Sequence, residues 1–165
     1  MPILEKLQPQ AVFAHFEQLC AIPHGSGNTK AISDYLVRFA AARGLRHIQD
    51  AHNNVIIFCP GTPGYEAAAP VILQGHMDMV CEKNSDVEFD FDNDPIRTHI
   101  DGGWVRAEGT TLGADCGIGM AAALAVMLDE TVEHGPVEAL FTVDEETGLT
   151  GAFELGEGML TGKYL

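Results

Sequence analysis

The sequence predicts an α/β domain in which a mixed β-sheet is flanked by helices. Segments with apolar residues at helical spacing alternate with short runs rich in β-branched and aromatic residues. Hydrophobic residues make up 46% of the 165-residue chain, which is enough for one packed core. No internal repeat or low-complexity segment interrupts the alternation, so the chain is expected to form a single layered unit.

Four segments have the pattern of helices. Residues 11–22 and 29–43 place apolar side chains on one face, and a proline or a glycine follows each of them. Residues 115–129 are the most apolar segment and are rich in small side chains, so this helix can lie close against a sheet. Residues 148–155 are predicted to form a short helix.

Three core strands and a hairpin complete the prediction. The strands are expected at 55–58, 71–74 and 137–143, where apolar residues form short runs. The double glycine at 102–103 separates two short runs with strand character, which predicts a hairpin over 97–107. Residues 82–95 are acidic and are expected to be irregular.

Charge and cysteine spacing limit the classes of partner. The formal net charge is −15, which repels phosphate and argues against nucleic acid or an anionic membrane as the main partner. No apolar stretch is long enough to cross a membrane, and no signal peptide is recognised at the N-terminus. The four cysteines are widely spaced and match neither a zinc knuckle nor a disulfide framework. Free thiols and a cytoplasmic location are therefore expected.

Three clusters of polar residues follow or precede core elements. His76 and Asp78 follow the strand at 71–74, and a bend there lets a carboxylate approach the second ring nitrogen of a metal-bound histidine. Asp115 lies in a glycine-rich bend at the start of the most apolar helix, where an N-cap without any metal-binding role is the simpler alternative. Asp144, Glu145 and Glu146 follow the strand at 137–143, where a solvated acidic loop is the simpler alternative.

Taken together, the clusters predict a metal site. One imidazole with several carboxylates is a ligand set suited to zinc, manganese or cobalt. Adjacent carboxylates repel one another, and a cation relieves that repulsion. The Glu145-Glu146 pair suggests a division of work, in which one carboxylate binds metal and its neighbour handles the proton of the attacking water.

The clusters also resemble known motifs. The strings LQGHMDMV, GTTLGADCGIGMA and TVDEETGLTGA are similar, in this order, to the metal-binding motifs of the M20 metallopeptidases. The resemblance runs from IPHGSGN to the final GKYL, and IDGGWVRAEGTTLGAD fits the branch of the aminoacyl-histidine (Xaa-His) dipeptidases. It implies a zinc-peptidase-like catalytic domain, a dipeptide substrate and a homodimer in the full-length protein.

The resemblance also implies roles for individual residues. His76 would bind one zinc ion, Asp115 would bridge two and Glu146 would bind the second. Glu145 would be the general base, and Asp78 would orient the imidazole. The cofactor would be two divalent metal ions, zinc in the first place, with cobalt or manganese as alternatives. Other M20 activities (aminoacylase or carboxypeptidase) and a non-catalytic metal-binding or dimerisation module stay open.

Two departures from the family pattern bear on these expectations. Cys116 stands where this branch is expected to have asparagine, and its thiolate could compete for metal, although a small buried thiol is the simpler interpretation. A cis peptide is expected after Asp115. The family also has further metal ligands and a lid or dimerisation domain that residues 1–165 lack. The chain is therefore expected to be the N-terminal part of a catalytic domain, weak in metal binding and inactive or nearly so alone.

Overall fold

The computed structural model describes residues 3–165 and contains, within them, four helices and six strands. The helices are α1 (Gln10–Cys20), α2 (Lys30–Ala41), α3 (Ala114–Val126) and α4 (Thr150–Phe153). The strands are β1 (Arg46–Gln49), β2 (Val55–Cys59), β3 (Val71–His76), β4 (Thr98–Asp101), β5 (Trp104–Ala107) and β6 (Val137–Thr142).

The central sheet has four strands in the order β1-β2-β6-β3. β2 pairs antiparallel with both β1 and β6, whereas β3 pairs parallel with β6. In the parallel pair His76 lies opposite Thr142, so β3 and β6 end at the same edge of the sheet. Val55, the first residue of β2, lies opposite Phe141 and starts at that edge. The segments that follow β3 and β6 therefore emerge side by side.

The helices bury one face of this sheet. Alternate residues of β2 and β6 belong to the same apolar cluster as the buried faces of α1, α2 and α3. The spacing of the buried residues in α2, from Ile32 through Leu36 to Phe39 and Ala40, is that of one helix face. α3 lies close to β3 at Gly75, where an added Cβ would lie 3.0 Å from the sulfur of Cys116, closer than an ordinary contact.

The predicted fold class is confirmed, and most elements lie where the sequence pattern indicates. The three long helices, the three core strands, the short helix and the hairpin are all present, with ends shifted by up to three residues. β1 was not predicted. It is a four-residue edge strand, Arg-His-Ile-Gln, whose side chains are partly or largely exposed, so it lacks the apolar pattern of a core strand.

The remaining segments have little influence on the site. β4 and β5 form a separate two-stranded hairpin around Gly102 and Gly103, both with positive φ, as expected for a tight turn. Residues 82–95 contain no helix and no named strand, as predicted. Within residues 3–165, none of the helices has the length and apolar character needed to span a bilayer.

Candidate metal centre

Three of the predicted site residues converge at the edge of the sheet where β3 and β6 end. His76 is the last residue of β3, Asp115 lies in the first turn of α3, and Glu146 lies four residues beyond the end of β6. One ligand atom from each lies within 4.8 Å of the others. His76 Nε2 is 3.9 Å from Asp115 Oδ1 and 3.8 Å from Glu145 Oε2. The structure thus brings an imidazole and three carboxylates to one place.

The imidazole of His76 is held so that one nitrogen faces this cluster. Its Nδ1 lies 2.9 Å from the backbone carbonyl oxygen of Asp78 and 3.4 Å from the carboxylate of the same residue. A carbonyl can only accept, so Nδ1 carries a proton and Nε2 faces the carboxylates. The Asp78 carboxylate raises the pKa of His76 to about 9, although burial opposes this. Because a metal binds the unprotonated nitrogen, binding there would release a proton.

The carboxylate of Asp78 has more partners than the sequence suggested. It is 3% exposed, and it accepts hydrogen bonds from the hydroxyl of Ser26 at 2.8 Å and from the backbone N–H groups of Glu145 at 2.9 Å and Glu146 at 3.2 Å. Burial raises the pKa of Asp78, but these bonds and the contact with His76 outweigh it and lower the value to about 2. Asp78 therefore fixes the backbone of the two glutamates as well as the histidine.

The loop over residues 143–151 carries these glutamates in an unusual backbone conformation. Asp144 and Leu149 have φ values of 54° and 61°, in the left-handed region that residues other than glycine rarely occupy. Such conformations persist where the surrounding structure imposes them. Here the carboxylate of Asp144 accepts a hydrogen bond from the backbone N–H of Gly27 at 2.7 Å. The loop is thus fixed by contacts with distant segments.

The charge of the cluster favours a cation. Partial burial raises the pKa of Glu146, and repulsion by Asp115, Glu145 and Asp78 adds to this despite the opposing effect of His76. Carboxylates that repel one another in this way are stabilised when a cation lies between them, because the cation offsets their mutual repulsion. Glu146 is partly exposed and Asp115 largely exposed, so both side chains can adjust toward a ligand.

The start of α3 places Asp115. Two expectations concern this segment, namely a cis peptide after Asp115 and a neutral thiol at Cys116. Gly113 has φ +68°, and an added Cβ would lie 2.9 Å from the sulfur of Met79, so only glycine fits this bend. The expected cis peptide after Asp115 is wrong, because this bond is trans. The sulfur of Cys116 accepts a hydrogen bond from the backbone N–H of His76 at 3.0 Å. Burial raises the pKa of this thiol, which favours its neutral form.

Two residues that hold the site were missed by the sequence analysis. The hydroxyl of Ser26 reaches Asp78 across 52 positions of the chain. The buried side chain of Asn54 contacts both Val143 and Gly151, which begin and end the loop. Neither residue lies in a spacing pattern with its partners. In the sequence, the Asn53-Asn54 pair before β2 is a signal for a turn and for nothing more.

Comparison with known proteins identifies the family. The sequence profile of the peptidase family M20/M25/M40 matches residues 72–164, more than half of the chain. The chain belongs to this family. It is 49% identical over 155 residues to the cytosol non-specific dipeptidase of Escherichia coli K12, and the match covers 94% of this M20 chain and 32% of that protein.

Solved structures of related enzymes have the same fold. The crystal structure of an aminoacylhistidine dipeptidase from Vibrio alginolyticus superimposes with a TM-score of 0.94 at 48% identity, covering 96% of this M20 chain and 32% of that one. A tripeptidase from Staphylococcus aureus gives a TM-score of 0.76 at 25% identity, over 94% of this chain and 42% of the other. The chain spans about a third of the length of the curated relative and of the dipeptidase structure.

The donor set of this M20 site fits a divalent transition metal. An imidazole nitrogen and carboxylate oxygens are ligands that zinc, cobalt and manganese accept. Zinc binds such atoms at about 2.0–2.2 Å in tetrahedral geometry, which places two ligand atoms about 3.4 Å apart. His76 Nε2 and Asp115 Oδ1 are 3.9 Å apart, and the largely exposed Asp115 side chain can close the difference. The bond from Nδ1 to the Asp78 carbonyl leaves Nε2 as the ligand atom.

Proposed function

We propose that the protein carrying this chain hydrolyses dipeptides of the Xaa-His type with a two-zinc site and a glutamate general base. The observation that carries the proposal is the convergence of His76, Asp115 and Glu146, with ligand atoms within 4.8 Å of one another, beside a further carboxylate. That carboxylate, Glu145, has Oε2 3.8 Å from His76 Nε2. The dipeptidase relatives, at 48–49% identity, support the substrate class.

In this proposal the chain supplies ligands and a base from separate residues. His76 and Asp115 would hold one zinc ion, and Asp115 and Glu146 the second. When bound, the ions polarise the peptide carbonyl and lower the pKa of water from 15.7 to about 7. Glu145 would take a proton from the attacking water and return it to the leaving amine. Asp78 keeps Glu145 in place through its backbone N–H, which leaves the Glu145 side chain free to move the proton.

The proposal applies to a protein longer than this chain. We infer that residues 1–165 are the N-terminal part of its catalytic domain, because the chain spans about a third of its dipeptidase relatives. The 165-residue chain alone should then bind zinc weakly and hydrolyse dipeptides slowly or not at all. A homodimer and a cytosolic location are proposed by analogy with the family and with the E. coli relative.

The test is a single isosteric change in the full-length protein. Glu145→Gln should lower kcat for Ala-His by roughly 10²- to 10⁴-fold, the range expected for losing a general base, and should leave the zinc content unchanged. Glu157→Gln is the matched control, since Glu157 is an exposed acid of the same region. Turnover by Glu145→Gln equal to that of the control would show that Glu145 is not the general base, and no turnover by the wild type would indicate a non-catalytic metal-binding module; either result would refute the proposal.

Two further measurements define the reaction and the metals. Turnover of unblocked dipeptides is expected to exceed that of N-acetylated amino acids, whereas the reverse order would indicate an aminoacylase. Anomalous scattering at the zinc edge, from crystals grown with zinc, should show two ions between His76, Asp115 and Glu146. A single ion, or ions bound elsewhere, would contradict the assignment of Asp115 as a bridging ligand.

A further inference from the structure

Asn54 is a buried asparagine directly before β2. It lies at the edge of the sheet where β3 and β6 end and where the residues of the metal centre converge. Its side chain is 1% exposed, and every polar group of the amide has a partner. Oδ1 accepts a hydrogen bond from the backbone N–H of Val143 at 3.1 Å. Nδ2 donates to the carbonyl of Gly151 at 2.9 Å and to the carboxylate of Asp50 at 2.7 Å. Donors face acceptors throughout, which fixes the orientation of the amide.

These contacts join the two ends of the loop over 143–151. Gly151 also donates its own N–H to the carbonyl of Val143 at 3.0 Å, so the ends are tied by one direct bond and by the amide of Asn54. The fit is tight, because a Cβ added to Gly151 would lie 2.5 Å from Asn54 Oδ1. The loop therefore closes around this side chain.

The loop needs such a tie because its own backbone does not favour the observed path. Asp144 and Leu149 are held at positive φ, an unfavourable conformation for residues other than glycine that persists only where the surroundings impose it. Asp78 holds the middle of the loop through the N–H groups of Glu145 and Glu146. Asn54 holds its ends. Both glutamate side chains project from the segment between these supports.

We propose that Asn54 is a positioning residue for Glu145 and Glu146, acting through the ends of the loop. This inference rests on the proposed function, in which Glu146 binds metal and Glu145 is the general base. Residues that support metal ligands from outside the ligand shell typically affect affinity or activity by roughly 10- to 100-fold when removed. Asn54 is buried and is not among the proposed metal ligands, so its loss should act only through the loop.

The first test compares Asn54→Ala with Ile57→Ala in the full-length protein. Ile57 is fully buried on β2, which begins directly after Asn54, and contributes to the apolar core, but it makes no hydrogen bond to the loop. Both variants should lose stability. Only Asn54→Ala should weaken zinc affinity, measured by competition with a chromophoric chelator, and lower kcat for Ala-His, each by roughly 10- to 100-fold. Equal effects of both variants would overturn the proposal.

The second test is a double-mutant cycle with Glu145→Gln. If Asn54 acts by positioning Glu145, its removal should cost much less in kcat once that glutamate is absent. Fully additive losses would overturn this part of the proposal. If the protein hydrolyses no dipeptide at all, the proposed function fails, and the zinc affinities of the Asn54 and Ile57 variants still decide whether Asn54 positions Glu146.

A third variant covers the case in which Asn54→Ala does not fold. Asn54→Ser keeps a small polar side chain at this buried position but is too short to join Val143 and Gly151 at once. It should be less destabilising than Asn54→Ala and should show a loss of zinc affinity in the same direction. Unchanged affinity and kcat in Asn54→Ser would overturn the proposal.

Discussion

Replacing Asp78 with asparagine should destabilise the protein by at least about 3 kcal/mol. The buried carboxylate accepts hydrogen bonds from Ser26, Glu145 and Glu146. An amide can place its oxygen toward Ser26 and Glu146, but its NH₂ group then faces the N–H of Glu145. One buried donor without a partner costs about 1–3 kcal/mol, and loss of the charge weakens each remaining bond by roughly 1 kcal/mol.

Urea unfolding of the full-length protein at neutral pH, without added metal, measures this effect. For a slope of about 2 kcal/mol per molar urea, a loss of 3 kcal/mol moves the midpoint by about 1.5 M. Asp144→Asn is the control, because Asp144 accepts one bond, from the N–H of Gly27, which an amide oxygen can still accept. The control should change stability by less than about 1 kcal/mol. If the two variants agree within about 0.5 kcal/mol, the bonds to Glu145 and Glu146 do not support the loop, and the reasoning is wrong.

Two further changes test how the C-terminal segment and α3 are held. Burial raises the pKa of Glu138, but hydrogen bonds from Thr161 and Gly162 outweigh it and hold the pKa below its ordinary 4.5. The ionised form therefore stabilises the fold above pH 4.5, and this stability is lost as the pH falls through the lowered value. Glu138→Gln should lower the free energy of unfolding by about 1–3 kcal/mol at pH 7. In urea unfolding, the difference in this free energy from the wild type should shrink toward about pH 3. A difference that does not depend on pH would contradict this. Gly113→Ala should cost at least about 1–2 kcal/mol because of its positive φ, and should weaken zinc binding at Asp115. Gly119→Ala, within α3 and with open space around it, should instead be neutral or stabilising by up to about 1 kcal/mol in thermal unfolding. Equal effects at both glycines would contradict this expectation.

The sequence predicted those elements of the fold whose apolar pattern is strong. α3 and β6 are nearly continuous apolar segments, and both lie within two or three residues of the predicted ranges. β1 has no such pattern, since its pairing with β2 depends on main-chain bonds that any sequence can make. The strand order could not be read from the chain either, because β6 inserts between β2 and β3 after a separation of more than sixty residues.

The site was predictable where it consists of charged side chains at the ends of strong elements. His76, Asp115 and Glu146 lie together as the sequence suggested, and their metal-binding roles remain proposals. The supports of the site were not predictable. The hydrogen-bond partners of Asn54 in the loop, Val143 and Gly151, lie 89 and 97 positions further along the chain. Nothing in the sequence around Asn54 indicates those partners.

The bond between His76 Nδ1 and the carbonyl of Asp78 comes from the main chain, and substitution at position 78 leaves that carbonyl in the chain. The backbone carbonyl therefore holds the proton on Nδ1 even without the carboxylate, which adds to this by raising the basicity of the ring. In a variant such as Asp78→Asn, the histidine should still present Nε2 outward even though its basicity falls. Substitutions at position 78 would then change how strongly the nitrogen donates its electron pair, whereas the direction in which the nitrogen points depends on the backbone.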